Sequence, residues 1–247
     1  LHTVDLPNAT RIGDSCFENC YRLKTVNIPN ALDIERDAFK QCAFSKISDV
    51  SGGDGVLLLN RNVKLHYQCF YKQNDASGNS ENSTNGNGLR EVYLENSDPW
   101  PINPPDANPT GHFYDNYQLH TVKMPNVPSI PQNCFYQCYR LKTVDVSSAS
   151  VIGKNGLRQC AFSKVSDVSG GYGVALINKN VTLYYGAFYN LNDASGNPSG
   201  NSSNGNGLKE VYLVNSNPWA LSSEEEEYVF SDNYSLQKVT LLNATSL

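Results

Sequence analysis

Apolar residues recur along this chain in one short grammar. In Leu23-Lys24-Thr25-Val26-Asn27-Ile28 the apolar side chains at 23, 26 and 28 point inward, and Lys24, Thr25 and Asn27 are left for solvent. Val and Ile suit a pleated strand. Pro29 ends it, because proline cannot donate to a ladder. Each unit then continues through a turn, an apolar return such as Ile12, and a short segment carrying an aromatic and a small residue, such as Phe17 and Cys20. That segment has room for only one or two helical turns, so irregular or 3₁₀ helix is expected there.

Alignment on Leu-x-x-Val predicts strands beginning at Leu1, Leu23, Phe44, Asn62, Leu89, Leu119, Leu141, Phe162, Asn180, Leu208 and Leu236. No unit can bury its own apolar face, but stacked units can, so the pattern implies a continuous core. An aromatic ladder is expected through Phe17, Phe39, Phe70, Phe113, Phe135, Leu157, Phe188 and Phe230. The fold class is an α/β repeat solenoid: one parallel β-sheet, about 48 Å long at ~4.8 Å per strand, with short helical returns.

The spacing pattern itself repeats. Leu1-His2-Thr3-Val4 returns as Leu119-His120-Thr121-Val122, and Cys42-Ala43-Phe44 as Cys160-Ala161-Phe162. One domain over 1–247 is expected, with superrepeats 1–118 and 119–235 and the start of a third at 236–247. The chain begins on a strand and stops just after one, without a polar cap, so it is expected to be a fragment of a longer protein. Gln73–Gly88 and Asn192–Gly207 are Asn/Ser/Gly tracts that cannot bury enough to order themselves and are expected to be mobile loops. A second pair of insertions carries Pro99-Trp100 and Pro218-Trp219. A Trp there either caps the core edge or stands exposed as a loop contact.

Composition narrows the chemistry. Charged residues are only 17% and there are 15 Tyr, so Asn, Ser, Thr and Tyr must supply much of the polar surface. A net charge of -5 provides no basic footprint for nucleic acid or anionic lipid. No apolar run is long enough to span a membrane. Seven Cys exclude a fully paired intramolecular framework. Cys16, Cys69 and Cys134 precede the ladder aromatic, and Cys20, Cys42, Cys138 and Cys160 follow it by three residues, where Asn116 and Asn233 also stand. Both slots read as small buried positions, which suits free thiols. A local Cys16–Cys20 or Cys134–Cys138 pair is the alternative. No His stands at ligand spacing from either, so no metal or cofactor is expected.

The solvent side of the strands offers Thr, Ser, Asn and scattered Lys, as any solvated sheet face does. The sharper reading picks Tyr93, Tyr184 and Tyr212, with His66, Lys64 and Lys123. Tyrosine gives a large rigid contact with a polar tip, which favours it at protein interfaces. It can also stack on sugars. Asp49–Gly55 fails the spacing of a calcium loop. Glu224–Glu227 reads as a solvated acidic loop. The four His, at 2, 66, 112 and 120, take repeat positions, and no triad, phosphate loop or zinc motif accompanies them. Catalysis is not expected. Six Asn-x-Ser/Thr sequons follow from composition alone.

The stretch LHTVDLPNATRIGDSCFENCYRLKTVNIP, Leu1 to Pro29, resembles the BspA-like leucine-rich repeat family. The resemblance covers nearly the whole chain except the loops. It implies a right-handed leucine-rich repeat solenoid in a surface-attached or secreted protein, used in adhesion to a host, matrix or neighbouring-cell protein. The family brings no catalytic residues. The expected function is thus a binding module. A structural spacer holding another domain off the cell surface, or a glycan-binding module, is the alternative.

Overall fold

The computed structural model describes residues 1–42, 44, 46–48, 56–59, 63–72, 89–94, 111–116, 118–138, 141–145, 148–160, 164–166, 174–177, 181–189, 208, 210–213, 229–231, 233 and 236–241. The strands, in chain order, are β1 (Thr3–Asp5), β2 (Arg11–Ile12), β3 (Thr25–Asn27), β4 (Asp33–Ile34), β5 (Lys46–Ser48), β6 (Val56–Leu59), β7 (Lys64–Leu65), β8 (Glu91–Leu94), β9 (Thr121–Lys123), β10 (Ser129–Ile130), β11 (Thr143–Asp145), β12 (Val151–Ile152), β13 (Lys164–Ser166), β14 (Val174–Ile177), β15 (Thr182–Leu183), β16 (Glu210–Leu213) and β17 (Lys238–Leu241). Strands β1, β3, β5, β6, β8, β9, β11, β13, β14, β16 and β17 form one 11-stranded sheet in that order. Its pairings are parallel, with Val4 opposite Val26 and Val92 opposite Val122. Single-sided burial drives this. Val4, Val26, Val122 and Val144 are buried while the residues on either side of each remain partly or fully exposed.

The structure corrects two strand assignments. The segments expected to open at Asn62 and Asn180 do not join the long sheet. They give β7 and β15, which pair with the apolar returns instead: β2-β4-β7 and β10-β12-β15 are separate 3-stranded parallel sheets. Ile12, Ile34 and Leu65 line up inward in one, and Ile130, Ile152 and Leu183 in the other. The places in the long sheet go to β6 and β14, whose continuous apolar runs Val-Leu-Leu-Leu and Val-Ala-Leu-Ile pair ten residues after β5 and β13. Three parallel sheets therefore replace the single one expected.

No helix occurs among the described residues. The segment around each ladder aromatic is a run of turns in which successive N–H groups alternate in direction. Cys16, Glu18 and Cys20 donate back to Gly13, Ser15 and Phe17, whereas Ser15, Phe17 and Asn19 donate to Arg36, Ala38 and Lys40 of the next unit. A 3₁₀ helix would spend every N–H internally. The alternation instead needs positive φ at every fourth residue, and Ser15, Asn19, Asp37, Gln41, Asn133, Gln137, Asn155 and Gln159 take φ of 51 to 63°. Short polar side chains such as Asn and Asp tolerate that region best.

Inside this frame the aromatic ladder forms as expected. Phe17, Phe39, Phe70, Phe113 and Phe135 stack with centroids 5.3 to 5.7 Å apart, and Phe188 stacks on Phe230 at 5.6 Å. Phe44 wedges edge-on against both Phe39 and Phe70.

The slot three residues after the aromatic asks for more than small size. Cys42 Sγ donates to the Phe17 carbonyl (3.1 Å), Cys138 to Phe113 (3.2 Å) and Cys160 to Phe135 (3.2 Å). Asn116 Nδ2 donates to Phe70 (2.7 Å) and Asn233 Nδ2 to Phe188 (2.7 Å). Cys and Asn alternate here because both supply a compact donor to the preceding unit's carbonyl. Burial pushes the Cys42, Cys138 and Cys160 thiols up, which keeps the S–H intact. All seven cysteines are free. Cys16, expected to be buried, is exposed, because no described unit packs over its side of the first turn segment.

Two buried groups titrate oddly. Burial lowers His112 to about 3. Burial raises Asp115 to about 7, although the Tyr71 hydroxyl donates to it.

Asn116→Ala strands the Phe70 carbonyl and should cost about 1–3 kcal/mol in urea denaturation, with Cys160→Ala at the low end because thiols donate weakly. The pH dependence of Asp115 is also predictable in sign. With its folded-state pKa raised, Asp115 is neutral when folded while the unfolded chain ionises, so its contribution falls as pH rises from about 4 to about 7. Asp115→Asn should therefore gain melting temperature relative to the parent across that window, and parallel curves would refute the assignment.

Candidate functional site

One row of the long sheet runs Asp5, Asn27, Ser48, Leu58, Tyr93, Lys123 and Asp145 in register, then resumes Ser166, Leu176, Tyr212 and Thr240. Of the residues singled out in the sequence, Tyr93, Lys123 and Tyr212 lie on this face. Lys64, His66 and Tyr184 do not. Lys64 belongs to β7, and His66 and Tyr184 follow β7 and β15 directly, so all three sit with the return sheets. His66 Nε2 lies 2.8 Å from Asp33 Oδ1 across that sheet. Tyr184 is exposed but adjoins a different sheet from Tyr93. Their displacement follows from the corrected pairing, since β6 and β14 take the places assigned to their segments. Trp100 and Trp219 lie outside the described residues, as do the two Asn/Ser/Gly tracts and the acidic run.

Tyr93 and Tyr212 sit in the same small constellation. Tyr93 Oη donates to Glu91 Oε2 at 2.5 Å, and Lys123 Nζ stands 5.6 Å from the centre of its ring. Tyr212 Oη donates to Glu210 Oε2, and Lys238 Nζ stands 5.1 Å from its ring. Glu and Tyr share one face because they are two residues apart on a strand. The lysine comes from the neighbouring strand, but from a different place each time. Lys123 is opposite Tyr93, whereas Lys238 is opposite Glu210. Threonine and lysine have exchanged positions between Thr121-Val122-Lys123 and Lys238-Val239-Thr240, and the cation over the ring is kept.

The arrangement pre-orders the tyrosine. The hydrogen bond to Glu91 and partial burial push the Tyr93 phenol up to about 12, so it remains a donor. The ammonium holds one ring face. A side chain already fixed in the free protein loses less entropy when a partner docks. Half-buried Leu58 lies in register beside Tyr93 and extends the apolar contact.

A second surface carries no residue picked from the sequence. It is the outer side of the turn segments, formed by the residue after each ladder position. Glu18, Lys40, Tyr71, Tyr114, Tyr136, Arg158 and Tyr189 fall there in successive units. Tyr71 and Tyr114 lie 5.3 Å apart and Tyr114 and Tyr136 4.9 Å. Lys40 caps one end over Tyr71 at 5.9 Å, and the Arg158 guanidinium inserts between Tyr136 (5.0 Å) and Tyr189 (4.3 Å). The signal was available. The same aromatic ladder that marks the inward residue also marks its outward neighbour, and four of seven are tyrosine.

Comparison with known proteins places the chain. The model of the BspA type leucine rich repeat region matches in six copies, over residues 1–52 and 108–192. Among solved structures, a leucine-rich repeat protein from Bacteroides ovatus ATCC 8483 is 17% identical with a TM-score of 0.47, covering 98% of this chain and 61% of the other. A leucine rich cell surface protein from Faecalibacterium prausnitzii A2-165 is 14% identical with a TM-score of 0.34, covering 99% and 61%. This chain thus spans 61% of the length of each. Among curated proteins nothing matches. With repeats matched over more than half of its residues, the chain belongs to the BspA type leucine-rich repeat family.

Proposed function

We propose that the chain is a non-catalytic protein-binding module that works outside the cell, in adhesion. Its single repeat domain over 1–247 would wind as a right-handed solenoid, as the family resemblance implies. The ligand is a protein on a host, matrix or neighbouring-cell surface, gripped by the exposed face of the long sheet.

The observation that carries this reading is the recurrence of Glu91–Tyr93–Lys123 as Glu210–Tyr212–Lys238. Duplication accounts for the glutamate and the tyrosine. It does not account for a lysine that reaches the ring from a different register position in each half. A rigid tyrosine with an apolar neighbour and paired charges at its rim has the composition of an interface anchor. The two sets are five strand intervals apart in the sheet, which at ~4.8 Å each is about 24 Å. A partner the size of a small domain can cover one of them.

The test is binding of the domain to immobilised matrix and serum proteins and to a glycan panel. Saturable binding to a protein is expected. Tyr93→Ser and Tyr212→Ser together should weaken it at least tenfold, about 1.4 kcal/mol. Tyr184→Ser, on a return sheet, should leave it unchanged. Undiminished binding by the folded double variant would move the site off the long sheet. A folded domain that binds nothing would favour a spacer, and binding confined to glycans would favour the carbohydrate reading.

A further inference from the structure

The turn face carries the same cation positions twice, in two different settings. In the first half, Lys40 Nζ reaches Glu18 Oε1 at 3.1 Å and Asp37 Oδ1 at 3.4 Å. Arg36 reaches Asp14 at 3.8 Å and Asp37 at 3.9 Å. The same positions 118 residues later are Lys154 for Arg36 and Arg158 for Lys40. The tyrosines are kept as well, Tyr185 for Tyr67 and Tyr189 for Tyr71. The acids are not. Asp14, Glu18 and Asp37 become Gln132, Tyr136 and Asn155. Both cations survive a change that removes all three of those carboxylates.

Arg158 shows what replaced them. Its guanidinium lies between the Tyr136 and Tyr189 rings, and Nη1 donates to Asn155 Oδ1 at 3.3 Å. Gly186 makes room for that amide, since a Cβ there would fall 2.4 Å from Asn155 Oδ1. Nε is buried without an acceptor. Among the described residues no carboxylate forms an ion pair with Arg158. Its fork is therefore held flat and oriented, and among the described residues its charge is met by ring faces and one neutral amide. Lys154, in the same turn segment, lies over Tyr185 at 5.1 Å.

We propose that Arg158, clamped by Tyr136 and Tyr189, is an anion-binding site for the carboxylates of an acidic polypeptide segment. A planar guanidinium matches a carboxylate in bidentate fashion. Tyr136 stacks on Tyr114 and also carries Arg158 over its ring, so it offers a ligand its edge and hydroxyl rather than a face. A sugar stacks best on an open ring face, and the two partners already against Tyr136 favour peptide over glycan there. Two cations on a chain of net charge -5 are too few to hold a nucleic acid backbone. This site is independent of which protein the long sheet grips.

The full chain is titrated into fluorescein-labelled poly-glutamate peptide and followed by anisotropy, with a poly-glutamine peptide as the neutral control and polygalacturonate as competitor. Poly-glutamate should bind, weaken as salt rises, and outcompete polygalacturonate. The decisive variant is Tyr136→Glu with Asn155→Asp. Both residues already occupy the matching places in the first half, where Asp37 has the φ of 55° that Asn155 has at 54°. The variant should therefore fold, confirmed by an unchanged melting curve, and rebuild the pair that neutralises Lys40. Binding should drop at least tenfold, and Arg158→Gln should do the same. Poly-glutamate bound no better than poly-glutamine would overturn the proposal, as would full binding by the folded double variant. Tighter binding of polygalacturonate would overturn the assignment to peptide.

Discussion

Half of the N–H groups in each turn segment have no acceptor within their own unit. Ser15, Phe17 and Asn19 reach theirs only on Arg36, Ala38 and Lys40, and the pattern recurs where Asn133, Phe135 and Gln137 donate to Lys154, Gly156 and Arg158. A buried N–H left unpaired costs as much as a lost hydrogen bond. A single unit is therefore incomplete in its polar groups as well as its apolar face. The stacked Phe rings, the positive-φ residues and the Cys or Asn donors all serve this junction. The surface side chains inherit their spacing from it.

Much of this was written in the chain. The Leu-x-x-Val grammar located nine of the eleven long-sheet strands correctly, and the ladder from Phe17 to Phe230 was legible residue by residue. The two misplaced strands have a local cause. Val63-Lys64-Leu65 and Val181-Thr182-Leu183 alternate as strands should, and Val56–Leu59 and Val174–Ile177 do not, so periodicity favoured the wrong segments. Only pairing partners separate a return strand from a sheet strand. The turns were missed because direction of N–H donation leaves no composition signal. Half of the candidate site was legible as well. Tyr93, Tyr212 and Lys123 were found by their alternation, whereas Lys64, His66 and Tyr184 were carried off with the misplaced strands. The Asn116 and Asn233 exceptions held the clue to the cysteine slot, since Asn shares donor capacity with Cys and shares little else.

The halves diverge by face. On the long sheet, Lys123 and Lys238 come from different positions and meet equivalent rings. On the turn side, equivalent positions hold opposite electrostatics, with Lys40 between two carboxylates and Arg158 between two tyrosines. Divergent surface charge on a repeated scaffold lets the two halves differ outside without altering the core.

The short links from β5 to β6 and from β13 to β14 have a geometric consequence. Only seven residues separate the strands of each pair, and no ladder residue stands among them. The sheet side thus holds 11 layers, while the ladder positions from Phe17 to Phe230 provide fewer on the opposite side. Each strand gained this way brings a leucine into register beside a tyrosine, Leu58 beside Tyr93 and Leu176 beside Tyr212, so the same short link that breaks the period also sets the neighbour of each candidate anchor.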